Sequence, residues 1–107
     1  MITERIRRII KIRMETNDEW DYDVEQCWKR EISVLTGNVE ETITFLDNEC
    51  TADEFSWISE IFDELVETTR SKALIDCFYR VAAKYPEESA KYHILDQIKR
   101  CEAILEE

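Results

Sequence analysis

One glycine and one proline occur in 107 residues. Hairpin turns draw on residues that tolerate positive φ, and short strands need frequent punctuation, so a turn-rich β fold is nearly excluded. The hydrophobic fraction of 44% still supplies a core, and the length suits one domain but not two. The expectation is a single all-α domain over 1–107, built as a compact bundle or short stack of five to seven antiparallel amphipathic helices.

Helical start and stop signals cover most of the chain. Thr3 and Glu4 open a first helix with Ile2, Ile6, Ile9, Ile10 and Met14 mainly on one side. The polar stretch Glu15 to Asp18 ends it. A second helix runs from Glu19 or Asp21 to Thr36, with Trp20, Val24, Cys27, Trp28 and Leu35 on one stripe. Gly37 is expected to end it in the left-handed conformation, and Asn38 to cap a third helix carrying Val39, Ile43, Leu46 and Cys50. Thr51-Ala52-Asp53-Glu54 is a capping box that opens a fourth. Ser71 caps a fifth, with Leu74, Cys77, Phe78, Val81 and Tyr85. Pro86 with Glu87 and Glu88 starts the last one or two, whose apolar positions are Ala90, Ile94, Ile98, Cys101 and Leu105.

Charge is distributed in three blocks. Residues 1–14 hold five basic groups against one acid, residues 15–68 seventeen acids against Lys29 and Arg30, and residues 69–107 seven of each. The net charge is −11. A surface of that sign repels nucleic acid and anionic membranes, which need positive charge to displace counterions, and it favours a basic partner or simply high solubility. From Glu31 to Thr69 there is no Lys or Arg. An ordinary solvated face mixes in lysine for i,i+4 pairs, so one-signed charge over this length points to a use other than stability.

Catalytic groups are scarce. His93 is the only histidine and stands at an expected helix bend without a Ser or Cys motif, and a single glycine leaves no phosphate-cradling loop. The acidic run from Asp47 lacks the sixth-position glycine of a calcium loop, and Ile58 stands where its final glutamate belongs. No Glu-x-x-His pair offers a di-iron site; Glu60, Glu64 and Glu67 share a face but suit a cation only weakly. Neither metal nor cofactor is expected. Cys27, Cys50, Cys77 and Cys101 form no CxxC pair and occupy apolar positions, as reduced thiols of a cytoplasmic protein would. The start MITERIRRIIKIRM lacks a signal peptide's continuous apolar core, and no run reaches the roughly 18 apolar residues of a membrane span.

Two placements invite a closer reading. Glu31 falls on the Val24, Trp28 and Leu35 side of helix two, either paired with a base of the first helix or at the stripe's edge in water. On the helix Asp53–Glu67, an advance of about 100° per residue puts Ile58, Phe62 and Val66 with Phe55 on the core side. Leu65 completes that stripe. Asp53, Glu60, Glu64 and Glu67 fall opposite, with Trp57 among them and Ile61 about 40° beyond it. Either another helix covers Trp57 and Ile61, or Trp57 is an interface anchor ringed by carboxylates, which suits binding hot spots and steered encounter.

The segments GNVEETITFLDNECTADEFSWISEIFDELVETT and SKALIDCFYRVAAKYPEE resemble, in style and helix order, small acidic helical immunity proteins. These belong to bacterial toxin–immunity systems, including contact-dependent growth inhibition and related polymorphic toxins. The resemblance implies a protein made beside a toxin, binding that toxin's C-terminal catalytic domain and blocking its active site. Many such toxins are nucleases with basic clefts, where an acidic inhibitor takes the place of phosphates. No residue role is carried over. The expected function is therefore a non-enzymatic inhibitor binding a basic domain through helices three and four, with Glu40, Glu41, Asp53, Trp57, Glu60, Ile61, Glu64 and Glu67 at the interface. The alternative is an acidic helical adaptor that binds a peptide or itself.

Overall fold

The computed structural model describes residues 2–16, 19 and 21–106. Its elements are α1 (Ile2–Glu15), α2 (Asp21–Thr36), α3 (Val39–Asn48), α4 (Ala52–Ile58), a 3₁₀ turn (Ser59–Ile61), α5 (Phe62–Thr69), α6 (Lys72–Lys84), α7 (Pro86–Lys91) and α8 (Ile94–Glu106). Taking α4, the 3₁₀ turn and α5 as one interrupted rod, the described residues form seven helices, and the architecture is all-α. No helix among them is long and apolar enough to cross a membrane. Asn17 and Asp18, in the polar stretch expected to end the first helix, and Trp20, placed on the apolar stripe of the second, lie outside the described residues.

The helix starts follow local chemistry. Asn38 Oδ1 accepts the Glu41 N–H at 3.1 Å, and the Ser71 hydroxyl accepts the Leu74 N–H at 3.1 Å. The capping box forms in both directions, with the Thr51 N–H donating to Glu54 Oε1 at 2.9 Å and the Glu54 N–H to Thr51 Oγ1 at 3.1 Å. Helix ends are less conventional. Gly37 does not take positive φ; Arg70 (φ 51°) and His93 (φ 54°) do, ending α5 and joining α7 to α8. The end of α3 has no glycine either. Its exposed carbonyls are taken by side chains from afar: Lys84 Nζ bonds Asp47 O at 2.9 Å, Arg7 Nη2 bonds Glu49 O at 2.9 Å, and the Tyr85 hydroxyl bonds Cys50 O at 2.8 Å.

One apolar core draws on α1 through α6 and on α8, with Phe45, Phe55, Phe62 and Phe78 at its centre. The Phe62 and Phe78 rings stack with centroids 4.0 Å apart, joining the rod to α6. α2 lies along α1, while α8 packs against α5 and α6. The radius of gyration, 12.9 Å, agrees with the roughly 13 Å of a single domain this long. All four cysteines are buried thiols. Met14, placed with the first helix's apolar stripe by its spacing, is instead 50% exposed at the end of α1.

The rod is where the helical wheel errs. Ser56 Oγ donates to the Asp53 carbonyl at 2.6 Å and Ser59 Oγ to the Ser56 carbonyl at 2.5 Å, both spanning three residues. Such local bonds favour the tighter 3₁₀ turn, which advances about 120° per residue instead of about 100°. Three such steps add roughly 60° and carry Ile61 from the outer face to the core side. Ile61 is 1% exposed. It is core, not the outward interface residue that an unbroken helix requires.

Candidate functional site

The densest polar constellation lies where α1, α2 and the 3₁₀ turn meet. Arg13, near the end of α1, has its side chain buried and grips Glu60 with Nε to Oε2 at 3.0 Å and Nη2 to Oε1 at 2.8 Å. The Trp28 indole N–H of α2 adds a bond to Glu60 Oε2 at 2.9 Å. Arg13 also lies over the Trp57 ring, 5.0 Å from its centroid. Two aromatic side chains thus flank a bidentate ion pair whose arginine is buried and whose carboxylate reaches the surface.

Glu31 belongs to the same junction. It is fully buried, and neither carboxyl oxygen has a hydrogen-bond partner. Burial pushes its carboxyl up to about 8; the charge of Glu60 pushes in the same direction and that of Arg13 opposes both. The ordering follows from charge bookkeeping. With Glu60 already matched to Arg13, a second carboxylate would leave a net negative charge in a dry space, so Glu31 holds its proton at neutral pH. Of the two placements open from the stripe, neither holds: Glu31 is not at a wet edge and makes no direct pair.

Much of the acidic middle is met from within the chain. Arg7 Nε bonds Glu54 Oε2 at 2.7 Å, and Arg80 bonds Asp47 with Nη2 to Oδ2 at 2.9 Å. Burial raises the Glu54 carboxyl, but bonds from Arg7 and Thr51 together outweigh it and hold the group below its ordinary range. Arg80 lowers Asp47 directly. Thr3 Oγ1 donates to Glu49, and the Ile2 backbone N–H to Glu41 Oε1 at 3.1 Å. The basic first helix docks on the acidic ones.

The expected interface residues therefore separate. Trp57 and Glu60 come together, but Trp57 is half-buried beneath Arg13 and Glu60 is engaged with Arg13 and Trp28. Ile61 is in the core. Glu41 is exposed and tied to the start of α1. Glu40, Asp53, Glu64 and Glu67 are exposed and have no ion pair with a described residue, as are Asp21, Asp23 and Glu25 on α2. Among the described residues, no group of three or more His, Cys, Asp or Glu is placed to hold a metal ion.

Beside Trp57 the surface dips into a notch of about 220 Å³, lined by Ser56, Trp57, Ser59, Glu60, Tyr92 and Gln97. Sequence reasoning missed it, because Tyr92 and Gln97 come from the distant α7–α8 corner. The serine pair at i,i+3 beside Trp57 was its only visible signal. Comparison with known protein families, with curated proteins and with solved structures finds no match.

Proposed function

We propose that the chain is a non-catalytic immunity protein that binds and neutralises the basic catalytic domain of a toxin encoded beside it. The observation that supports this reading most is the charge left after internal pairing. Asp21, Asp23 and Glu25 on α2, Glu40 on α3, Asp53 on α4 and Glu64 and Glu67 on α5 remain exposed without an ion pair to a described residue. Between Glu31 and Thr69 there is no lysine or arginine, so Glu40, Asp53, Glu64 and Glu67 have no basic residue within that stretch. Uncompensated charge destabilises a fold by self-repulsion and accelerates encounter with an oppositely charged protein. A nuclease-like partner, whose cleft is built for phosphate, has the complementary surface.

The experiment is co-expression with the adjacent upstream gene, followed by affinity capture. Protection of the host and a stoichiometric complex are expected; a non-toxic neighbour that does not co-purify overturns the reading. The rival, an adaptor that binds a peptide or itself, draws on an apolar trough lined by Tyr79, Ala82, Ala83, Pro86, Ala90 and Leu95. It predicts concentration-dependent self-association in sedimentation, with no toxic neighbour required.

A further inference from the structure

The notch between the interrupted rod and the α7–α8 corner has a chemistry of its own. Ser56 and Ser59 are 9% and 5% exposed. Each hydroxyl proton is spent on a backbone carbonyl, of Asp53 and of Ser56 respectively. What these serines keep for a neighbour is therefore lone pairs. Gln97 donates from Nε2 to the Tyr92 carbonyl at 3.0 Å, which leaves its side-chain oxygen uncommitted. Glu60 Oε2 accepts from both Trp28 and Arg13, whereas Oε1 accepts from Arg13 Nη2 alone among the described residues and retains acceptor capacity. Four acceptors and two aromatic rings, Trp57 and Tyr92, thus line one concavity.

A site with surplus acceptors and π faces selects a donor-rich cation. The protein already shows the pairing twice. Arg13 lies on Trp57 with its guanidinium on Glu60, and Lys91 Nζ lies 5.2 Å from the Tyr92 centroid. Glu60 is locked by three donors, so it meets an incoming group with little reorganisation, which is the condition for a useful contact.

We propose that this notch receives one lysine or arginine side chain projecting from the basic partner protein, with Trp57 and Tyr92 flanking its charge and Ser56, Ser59, Gln97 and Glu60 accepting its N–H groups. The identity of that partner rests on the immunity reading; the cation preference rests on the notch. The guanidinium carries five donors in a planar fork, and it suits several separated acceptors better than the compact ammonium does. Lys91, exposed at the end of α7, competes for Tyr92.

The test is an amide and indole NMR titration at low salt with an acetylated, amidated Gly-Arg-Gly tripeptide, and with the same peptide carrying neutral citrulline. Saturable shifts at Ser56, Ser59, the Gln97 side chain and the Trp57 indole are expected, at least tenfold weaker with citrulline. Gln97→Leu and Tyr92→Ala, both at surface-accessible positions, should weaken binding severalfold, and Lys91→Ala should tighten it. An equal response to citrulline, shifts confined to the acids of α2 and α5, or no saturable shift overturns the proposal. Full retention of toxin affinity by both weakening variants sinks the notch and leaves the immunity reading intact. Arginine binding without any protection from the neighbouring toxin does the reverse.

Discussion

Glu31 concentrates the residue-scale physics. Its carboxyl is ordinary in the unfolded chain, near 4.5, and near 8 in the fold. Because the folded value is the higher, its favourable contribution is complete below the unfolded value and is lost as pH rises through about 8. At roughly 1.4 kcal/mol per unit, stability should fall by about 3 kcal/mol between pH 5 and pH 8. Glu54 and Asp47, shifted downward, act only in acid and do not mask this window. Urea titrations across pH 5–8 check it: Glu31→Met should flatten the slope and raise stability at pH 8. An unchanged slope in that variant contradicts the buried-acid account. The left-handed residues give a second prediction at this scale. Arg70→Gly should stabilise by about 0.5–1 kcal/mol by relieving its αL backbone. Gly37→Ala should be close to neutral, since a Cβ there meets only ordinary contacts at 3.5 and 3.7 Å. Thermal denaturation separates the two.

At the scale of elements, the rod and the first helix carry the argument. Ile61→Ala should cost about 2–5 kcal/mol if the 3₁₀ turn rotates it into the core, and under about 0.5 kcal/mol if the helix ran on unbroken. The docking of α1 is uneven along its length. Arg7 is largely exposed, so Arg7→Ala should cost no more than about 1 kcal/mol. Arg13 is buried, and Arg13→Ala strands Glu60 beside Glu31, with an expected loss of about 3 kcal/mol. Equal costs would contradict the ranking. The capping box at Thr51, the N-caps at Asn38 and Ser71, the helix order and the Phe55-Ile58-Phe62-Leu65-Val66 stripe were legible in the sequence because caps and periodicity are local. The 3₁₀ turn was not, since two serine hydroxyls choosing backbone carbonyls leave no mark on hydrophobic period. Nor was the pairing of Arg13 with Glu60, 47 residues on.

For the whole molecule, the separation of charge along the chain becomes a separation in role. The basic first helix neutralises part of the acidic middle from within, through Arg7 on Glu54 and Arg13 on Glu60. Asp21, Asp23, Glu25, Glu40, Asp53, Glu64 and Glu67, on α2, α3, α4 and α5, stay outward. That residue of negative charge is what a basic protein would encounter first, and the Trp57 notch is where one of its side chains would lodge. Steering of this kind acts on the association rate and is screened over about 8–10 Å at physiological salt. The most direct measurement is the stopped-flow association rate between this chain and the basic toxin domain proposed as its partner, followed from low to high ionic strength. The account predicts a rate that falls steeply with salt, and at low salt falls at least tenfold in Glu64→Lys/Glu67→Lys. A rate indifferent to salt and to that reversal would contradict it.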